Sequence, residues 1–341
     1  MAFFLTLLLG FIIRAGAADI ADSAHPPGEP SGEEMELEEP NPVELSARVD
    51  SLYSSNNVLA QGFSIPSLRL TAGGELFENL DFQLSAGQSR EYTSLLLPQL
   101  IPSEAFIRWG EGEDSLVRFR AGMFNPIFSP SWTPDLSYLS LPDYHETHKR
   151  ILLNRDIGAE ITLRPFEETF ELTLGFFNGN GILAMNTNDS KAVTVSGNLN
   201  LPIGSAKLSL GGSGYLLNQS SQGRGNFKAN WVTDAFVALE SESFALTLDG
   251  FTGRFEDNSR IVFVNGGAGF LKIHFMGCLF LFARLESLDQ DPIDFSPITH
   301  YDFGPILQWH ERFTAFFLYD TLLLGNQSRA NGVTIRFRAS L

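Results

Sequence analysis

Nine charged residues have positions that predict one enclosed charged surface. Six are arginines on strand-like segments, namely Arg69, Arg108, Arg118, Arg120, Arg336 and Arg338. Three are acids in a long insertion, namely Asp135, Asp143 and Glu146. The chemistry open to basic side chains that face acidic ones is electrostatic, because the field between them orients dipolar and charged solutes and rejects apolar ones. For any single arginine, an ion pair with a neighbouring carboxylate is an equally good interpretation.

Covalent and metal chemistry find little support in the sequence. The segment His145–His148 reads "HETH" in a proline-rich context, so it lacks both the helix and the third ligand of a zinc site. No Gly-x-Ser-x-Gly motif supplies a nucleophile. The single Cys278 excludes an internal disulfide framework. We therefore expect no enzyme, no cofactor and no metal.

The arginines belong to segments of about ten residues in which apolar and polar residues alternate, the pattern of a membrane β-strand. In the last segment, Val333, Ile335 and Phe337 share one face. Arg336 and Arg338 share the other face. Half-buried strands of water-soluble proteins also alternate, so this periodicity does not decide the fold class.

The lengths of the connections favour a membrane barrel. Candidate strands start near residues 44, 64, 80, 103, 115, 155, 170, 192, 206, 230, 244, 261, 276, 298, 312 and 331. Short links, such as residues 274–275, alternate with longer ones, such as those around Asp257 and Gln327. Short periplasmic turns and longer outer loops are typical of an all-β, transmembrane antiparallel β-barrel, here of about 16 strands. The first and twelfth segments alternate poorly, so fourteen or eighteen strands remain alternatives.

The insertion of residues 124–154 is the longest connection. Its prolines, Pro126, Pro130, Pro134 and Pro142, interrupt any continuous strand or helix. Irregular backbone is tolerated at membrane depth only where protein or lumen water covers it, so an inward-folded insertion would narrow the bore. An ordinary exposed outer loop is the alternative.

The amino terminus predicts export. Residues 1–17 combine an apolar run with a small-residue cleavage site, as in a signal peptide. Residues 18–42 are rich in Pro, Gly and Glu and are expected to be a disordered acidic tail, which leaves residues 43–341 for the barrel. The net charge of −17 argues against a nucleic-acid partner. The 30 Phe residues suggest outward aromatic girdles in contact with membrane lipid.

Three segments carry a family resemblance. They are "RFRAGMFNPIF" at 118–128, "NRDIGAEI" at 154–161 and "LTLGFFNGNG" at 172–181, and they resemble the phosphate-selective porin O and P family of outer-membrane porins. The resemblance implies a sixteen-stranded, usually trimeric diffusion channel in the bacterial outer membrane, with an inward-folded third loop. The insertion carries only Lys149 and Arg150 as basic residues, at its end, so the lysine cluster of the phosphate-selective members is not matched.

Together these observations predict passive diffusion of small hydrophilic or charged solutes through a water-filled barrel narrowed by the insertion. The nine charged residues would form the constriction. The alternative is a non-conducting outer-membrane barrel that acts as a surface adhesin or scaffold, with the insertion plugging the lumen.

Overall fold

The computed structural model of the chain describes residues 43–56, 62–77, 79–89, 101–110, 115–128, 156–166, 169–178, 191–218, 227–257, 260–289, 297–309, 312–325 and 327–340. The predicted signal peptide, the predicted acidic tail and the three acids Asp135, Asp143 and Glu146 lie outside these residues. Within the described ranges, no helix is long and apolar enough to cross a membrane.

The first half of the chain forms eight strands. They are β1 (Glu44–Asn56), β2 (Gly62–Phe77), β3 (Leu80–Ser89), β4 (Ile101–Trp109), β5 (Val117–Phe124), β6 (Asp156–Leu163), β7 (Phe170–Phe177) and β8 (Lys191–Ile203).

The second half adds eight more. They are β9 (Ala206–Asn218), β10 (Phe227–Glu240), β11 (Phe244–Asp257), β12 (Arg260–Met276), β13 (Leu279–Leu288), β14 (Ile298–Trp309), β15 (Phe313–Leu324) and β16 (Gln327–Ser340).

The sixteen strands form one closed antiparallel barrel. Each strand pairs with the next in sequence, and β1 pairs with β16 from Arg48↔Ser340 to Asn56↔Gly332. Closure gives the two terminal strands the partners that a free edge would lack, which a membrane-spanning sheet requires. The predicted fold class and the count of sixteen are confirmed.

Two predicted links are wrong. The short link predicted at residues 274–275 is part of β12, which continues to Met276, and the chain turns at Gly277. The φ of 51° at Gly277 lies in the left-handed region that glycine adopts without strain. The longer outer link expected around Gln327 is replaced by residues 325–326, because β15 extends to Leu324 and β16 begins at Gln327. Gly325 has a φ of 62°, a left-handed conformation that glycine adopts without strain.

The outward face carries large exposed apolar side chains. Those next to the short turns include the aromatic residues Phe77, Trp109, Phe166, Phe275, Trp309 and Phe313. A row of exposed aromatic rings at one end of the strands is the girdle by which a barrel sits at a membrane interface. On the last strand the predicted faces are observed, since Val333 and Phe337 are exposed and Arg336 is buried.

The inward face holds phenylalanines that the composition argument had assigned to the outside. Several lie in register opposite an inward glycine, in the pairs Phe106↔Gly122, Phe177↔Gly158, Phe236↔Gly211 and Phe251↔Gly266. A Cβ on Gly158 would lie 2.2 Å from the Phe176 carbonyl oxygen and 2.4 Å from Phe177 Cδ1. The ring therefore covers a position where a side chain would not fit, as in aromatic rescue of strand glycines.

We expect the substitution Gly158→Ala to lower the free energy of unfolding by about 1–3 kcal/mol, because the methyl group overpacks this site. Gly197→Ala on β8 is the matched control, since a Cβ there meets nothing within 4 Å. Urea titration of the barrel refolded into lipid vesicles measures both variants. Equal stability of the two variants would show that Phe177 does not need the glycine.

Candidate functional site

The six predicted arginines lie on the inward face of neighbouring strands. They lie on β2, β4, β5 and β16, and register pairs them with inward positions of β3, β4, β5, β6 and β15. Because β16, β1 and β2 to β5 are contiguous in the closed sheet, the arginines share one arc of the lumen wall. We call this set of six residues the arginine arc.

Wall carboxylates pair with members of the arginine arc. Arg69 forms an ion pair with Glu104, and the Gln83 amide also donates to Glu104 at 2.8 Å. Arg108 Nη2 lies 3.8 Å from Asp81 Oδ2. Carboxylates on neighbouring strands thus compensate part of the basic charge. Such an ion pair is the alternative that the sequence left open for each single arginine.

The chain leaving β5 turns back over the inner wall. Arg120 Nη2 lies 2.6 Å from Glu160 Oε2 and donates to the Asn125 carbonyl oxygen at 3.3 Å. The backbone N–H of Ile127 donates to Glu160 Oε1 at 2.8 Å. Because Arg120 and Glu160 are inward register partners on β5 and β6, these bonds place the first residues of the insertion inside the barrel.

Two glycines make room for this turn. Gly122 and Gly158 are register partners at the next inward position, on the side of the insertion, after the pair Arg120 and Glu160. A Cβ on Gly122 would lie 2.2 Å from the Ala105 carbonyl oxygen, and the φ of 137° at Gly122 is strained for other residues. Beside them, Phe124 makes edge-to-face contacts with neighbouring rings at centroid distances of 5.9 and 5.5 Å.

A buried ionic network lies on β13 and β14. Arg284 Nε and Nη2 donate to the two carboxylate oxygens of Asp302 at 3.1 and 2.8 Å, a bidentate pair. Arg284 Nε also lies 3.3 Å from Glu286 Oε1, and His300 Nδ1 lies 3.6 Å from the same oxygen. These four side chains are nearly fully buried, so the Arg284 guanidinium and the carboxylates of Glu286 and Asp302 are compensated by one another and not by water.

Two apolar layers enclose this network. One includes Leu288 and Ile298, and the other includes Phe282 and Ile306. At the lumen side, Asp320 Oδ1 on β15 lies 3.2 Å from His300 Nε2, and 37% of the Asp320 side chain is exposed. Asp320 is therefore the carboxylate of the cluster that solutes can reach.

Sequence reasoning missed this network. The signal available was parity, because Arg284 and Glu286 share the inward face of β13 and His300 and Asp302 share that of β14. In a barrel of sixteen strands, the strand eight places along lies across the lumen, so β13 lies across from β5. β15, which carries Asp320, is the direct neighbour of β16, so the exposed carboxylate of this cluster lies beside the arginine arc. The insertion acids Asp135, Asp143 and Glu146 lie outside the described residues.

Sixteen closed antiparallel strands, an aromatic girdle, a charged inner wall and a third outer loop that starts inside the lumen define an outer-membrane porin. The chain belongs to the phosphate-selective porin O and P family, whose sequence profile matches residues 43–236. It is a non-enzymatic outer-membrane channel for small solutes.

Solved structures of outer-membrane proteins share this fold at low sequence identity. An anion-selective porin from Comamonas acidovorans is 13% identical, with a TM-score of 0.63 over 88% of this chain and 100% of that chain. The outer membrane channel DcaP of Acinetobacter baumannii is 10% identical, with a TM-score of 0.59 over 89% of this chain and 98% of that one. A loop L8 deletion mutant of OmpT, an outer membrane protein of Vibrio cholerae, is also 10% identical, with a TM-score of 0.59 over 89% and 100% of the two chains. The comparison with curated proteins found no match.

The substitution Arg284→Met tests the buried network. It leaves the carboxylates of Glu286 and Asp302 buried without their shared cation, so we expect the free energy of unfolding to fall by about 3–5 kcal/mol. Arg312→Met, at an exposed turn, is the control and should change it by less than about 0.5 kcal/mol. Urea titration in lipid vesicles compares them. Similar values for both variants would mean that the network contributes little to stability.

Proposed function

We propose that small hydrophilic or charged solutes diffuse passively through a water-filled lumen that the insertion of residues 124–154 narrows. The observation that carries this proposal is the hydrogen bond from the Ile127 amide to Glu160, because it commits the start of the insertion to the lumen side of the wall. Irregular backbone at this depth is compatible with a membrane only inside the barrel.

Selection by charge is the second part of the proposal. The arginine arc forms the basic side of the passage, and Asp135, Asp143 and Glu146 of the insertion form its acidic side. Asp320 on β15 adds an exposed carboxylate to the wall beside the arc. A field across the passage aligns dipolar solutes and admits charged ones, whereas apolar solutes gain nothing from it.

A general filter fits the wall better than a phosphate site does. Among inward positions whose side chains the structure describes, carboxylates outnumber Lys and Arg, and Arg69, Arg108 and Arg120 each have a carboxylate partner. Phosphate recognition relies on basic and N–H donors that converge on the anion. We therefore propose that the channel admits small solutes of either charge.

Planar-bilayer recording of the refolded protein tests conduction. We expect discrete ion-conducting steps, and liposomes that contain the protein should swell in small sugars and amino acids but not in larger ones. A barrel that inserts stably and yet gives no steps would instead support the non-conducting adhesin or scaffold.

Reversal potentials in a salt gradient test the charge filter. Arg118→Glu should move the reversal potential towards cation preference and Asp320→Asn towards anion preference, each by roughly 10 mV of the ~59 mV that perfect selectivity gives for a tenfold gradient. Asp289→Asn is the matched control, because Asp289 is exposed and bonds Asn265 on the outward face. Shifts no larger than that of the control would remove both residues from the filter.

We also propose that the barrel assembles as a homotrimer through the wall formed by β5, β6 and β7. Each of these strands has 8 residues, whereas a membrane-spanning strand needs about 9–11. These three strands are too short to cross the whole hydrocarbon layer, and a neighbouring copy of the barrel would cover the part of the layer that they do not reach. One of the similar structures, in-vitro folded OmpT of Vibrio cholerae, is described in a trimer form.

Light scattering of the detergent-solubilised protein checks the assembly, with an expected mass of three chains. Ile161→Asn places a polar group on the exposed outward face of β6 and should dissociate the trimer. Leu248→Asn makes the same kind of change on the outward face of β11 and should leave the mass unchanged. Equal masses for the two variants would place the interface elsewhere.

Export completes the proposal. Residues 1–17 would be removed as a signal peptide, residues 18–42 would form a periplasmic acidic tail, and residues 43–341 would form the barrel.

A further inference from the structure

We propose that Arg120 and Glu160 are positioning residues, which clamp the start of the insertion to the wall and thereby set the open cross-section of the lumen. Arg120 belongs to the arginine arc, and the proposal gives it a positioning role in addition to its charge. The inference rests on the proposed narrowing of the lumen by the insertion.

The clamp joins two strands to two backbone groups. The Glu160 side chain is 2% exposed, and each of its carboxylate oxygens has a partner: Oε2 has Arg120 Nη2 at 2.6 Å, and Oε1 has the Ile127 amide at 2.8 Å. Arg120 Nη2 also reaches the Asn125 carbonyl oxygen at 3.3 Å. Because the contacts on the insertion are backbone groups, the clamp sets the direction of the chain itself.

The local sequence leaves few other ways to make this turn. Pro126 has no N–H, so the Ile127 amide is the first donor after Asn125. A backbone N–H turned into a buried wall needs an acceptor, and Glu160 provides it. Phe128 is 3% exposed and belongs to the same apolar cluster as Phe124, so the four residues after β5 are held by polar and apolar contacts together.

Packing also fixes the Arg120 side chain. Its guanidinium carbon lies 4.0 Å from the centroid of the Phe124 ring and 5.5 Å from that of Phe106. A guanidinium that rests on two rings and bonds a buried carboxylate has a defined direction, as a clamp requires. Gly122 and Gly158, at the next inward positions, leave the space into which the chain turns.

Charge-preserving variants separate positioning from electrostatic selection. Glu160→Asp shortens the carboxylate by one methylene, and Arg120→Lys removes the planar fork; neither changes the lumen charge. A clamp predicts that both variants change the single-channel conductance by roughly 1.5-fold and increase open-channel noise, while the reversal potential stays at the wild-type value. A purely electrostatic role predicts no change in conductance.

The matched control is Glu171→Asp. Glu171, near the start of β7, forms an ion pair at 2.5 Å with Arg164, the first residue after β6. The pair therefore lies at the turn between these two strands. It should leave conductance and noise unchanged. Circular dichroism and heat-modifiable gel mobility verify that each barrel is folded; if one clamp variant fails to fold, the other decides.

The outcomes are distinct. Unchanged conductance and noise in the folded clamp variants, or an equal change in Glu171→Asp, would overturn the clamp. Absence of ion-conducting steps in the wild-type protein would instead contradict the proposed function.

Discussion

Every backbone N–H and C=O group of a membrane-spanning chain must find its partner within the protein, and the pairing of β1 with β16 is the interaction that meets this requirement here. Without it, two long strands would present unpaired edges to hydrocarbon. Closure also separates the two faces of every strand, since one residue in two points to lipid and the next to the lumen. The barrel has a charged inner wall because its closure gives the sheet a face that does not contact lipid.

The lumen wall is lined by packed side chains over much of its circumference. Rings such as Phe177 and Phe236 lie over inward glycines, and apolar layers enclose the network of Arg284, Glu286 and Asp302. Buried charges in such a setting are tolerated because each has an opposite partner. Partly exposed ionic groups, such as Arg108 and Asp320, therefore dominate what a passing solute meets.

The family motifs have a physical explanation in the start and the end of the third outer loop. One motif supplies Arg120 and Gly122 on β5, and the other supplies Gly158 and Glu160 on β6. The glycines remove the side chains that would block the turn, and the charged pair bonds the turning backbone. The same pair shows why an inward charge in a porin need not be a selectivity residue: its bonds to the chain can matter more than its field.

The sequence by itself determined the barrel and the inward face of the arginine arc, because alternation has a period of two residues and is visible locally. It predicted about sixteen strands but left fourteen or eighteen open, and the structure decided for sixteen. It placed the short link between β12 and β13 three residues too early, and it expected a longer link between β15 and β16 than the two residues that separate these strands. Gly277 and Gly325, which both have positive φ, lie in these links. It also assigned the phenylalanines to the outside of the barrel, because amino-acid composition does not show which face of a strand a residue occupies. Only the tertiary structure decided which carboxylate each arginine meets, that Arg284 and Asp302 form a buried pair, and that Arg120 and Glu160 hold the insertion. Those contacts depend on cross-strand register and on residues such as Arg120 and Glu160, which are far apart in sequence, and no local pattern encodes either.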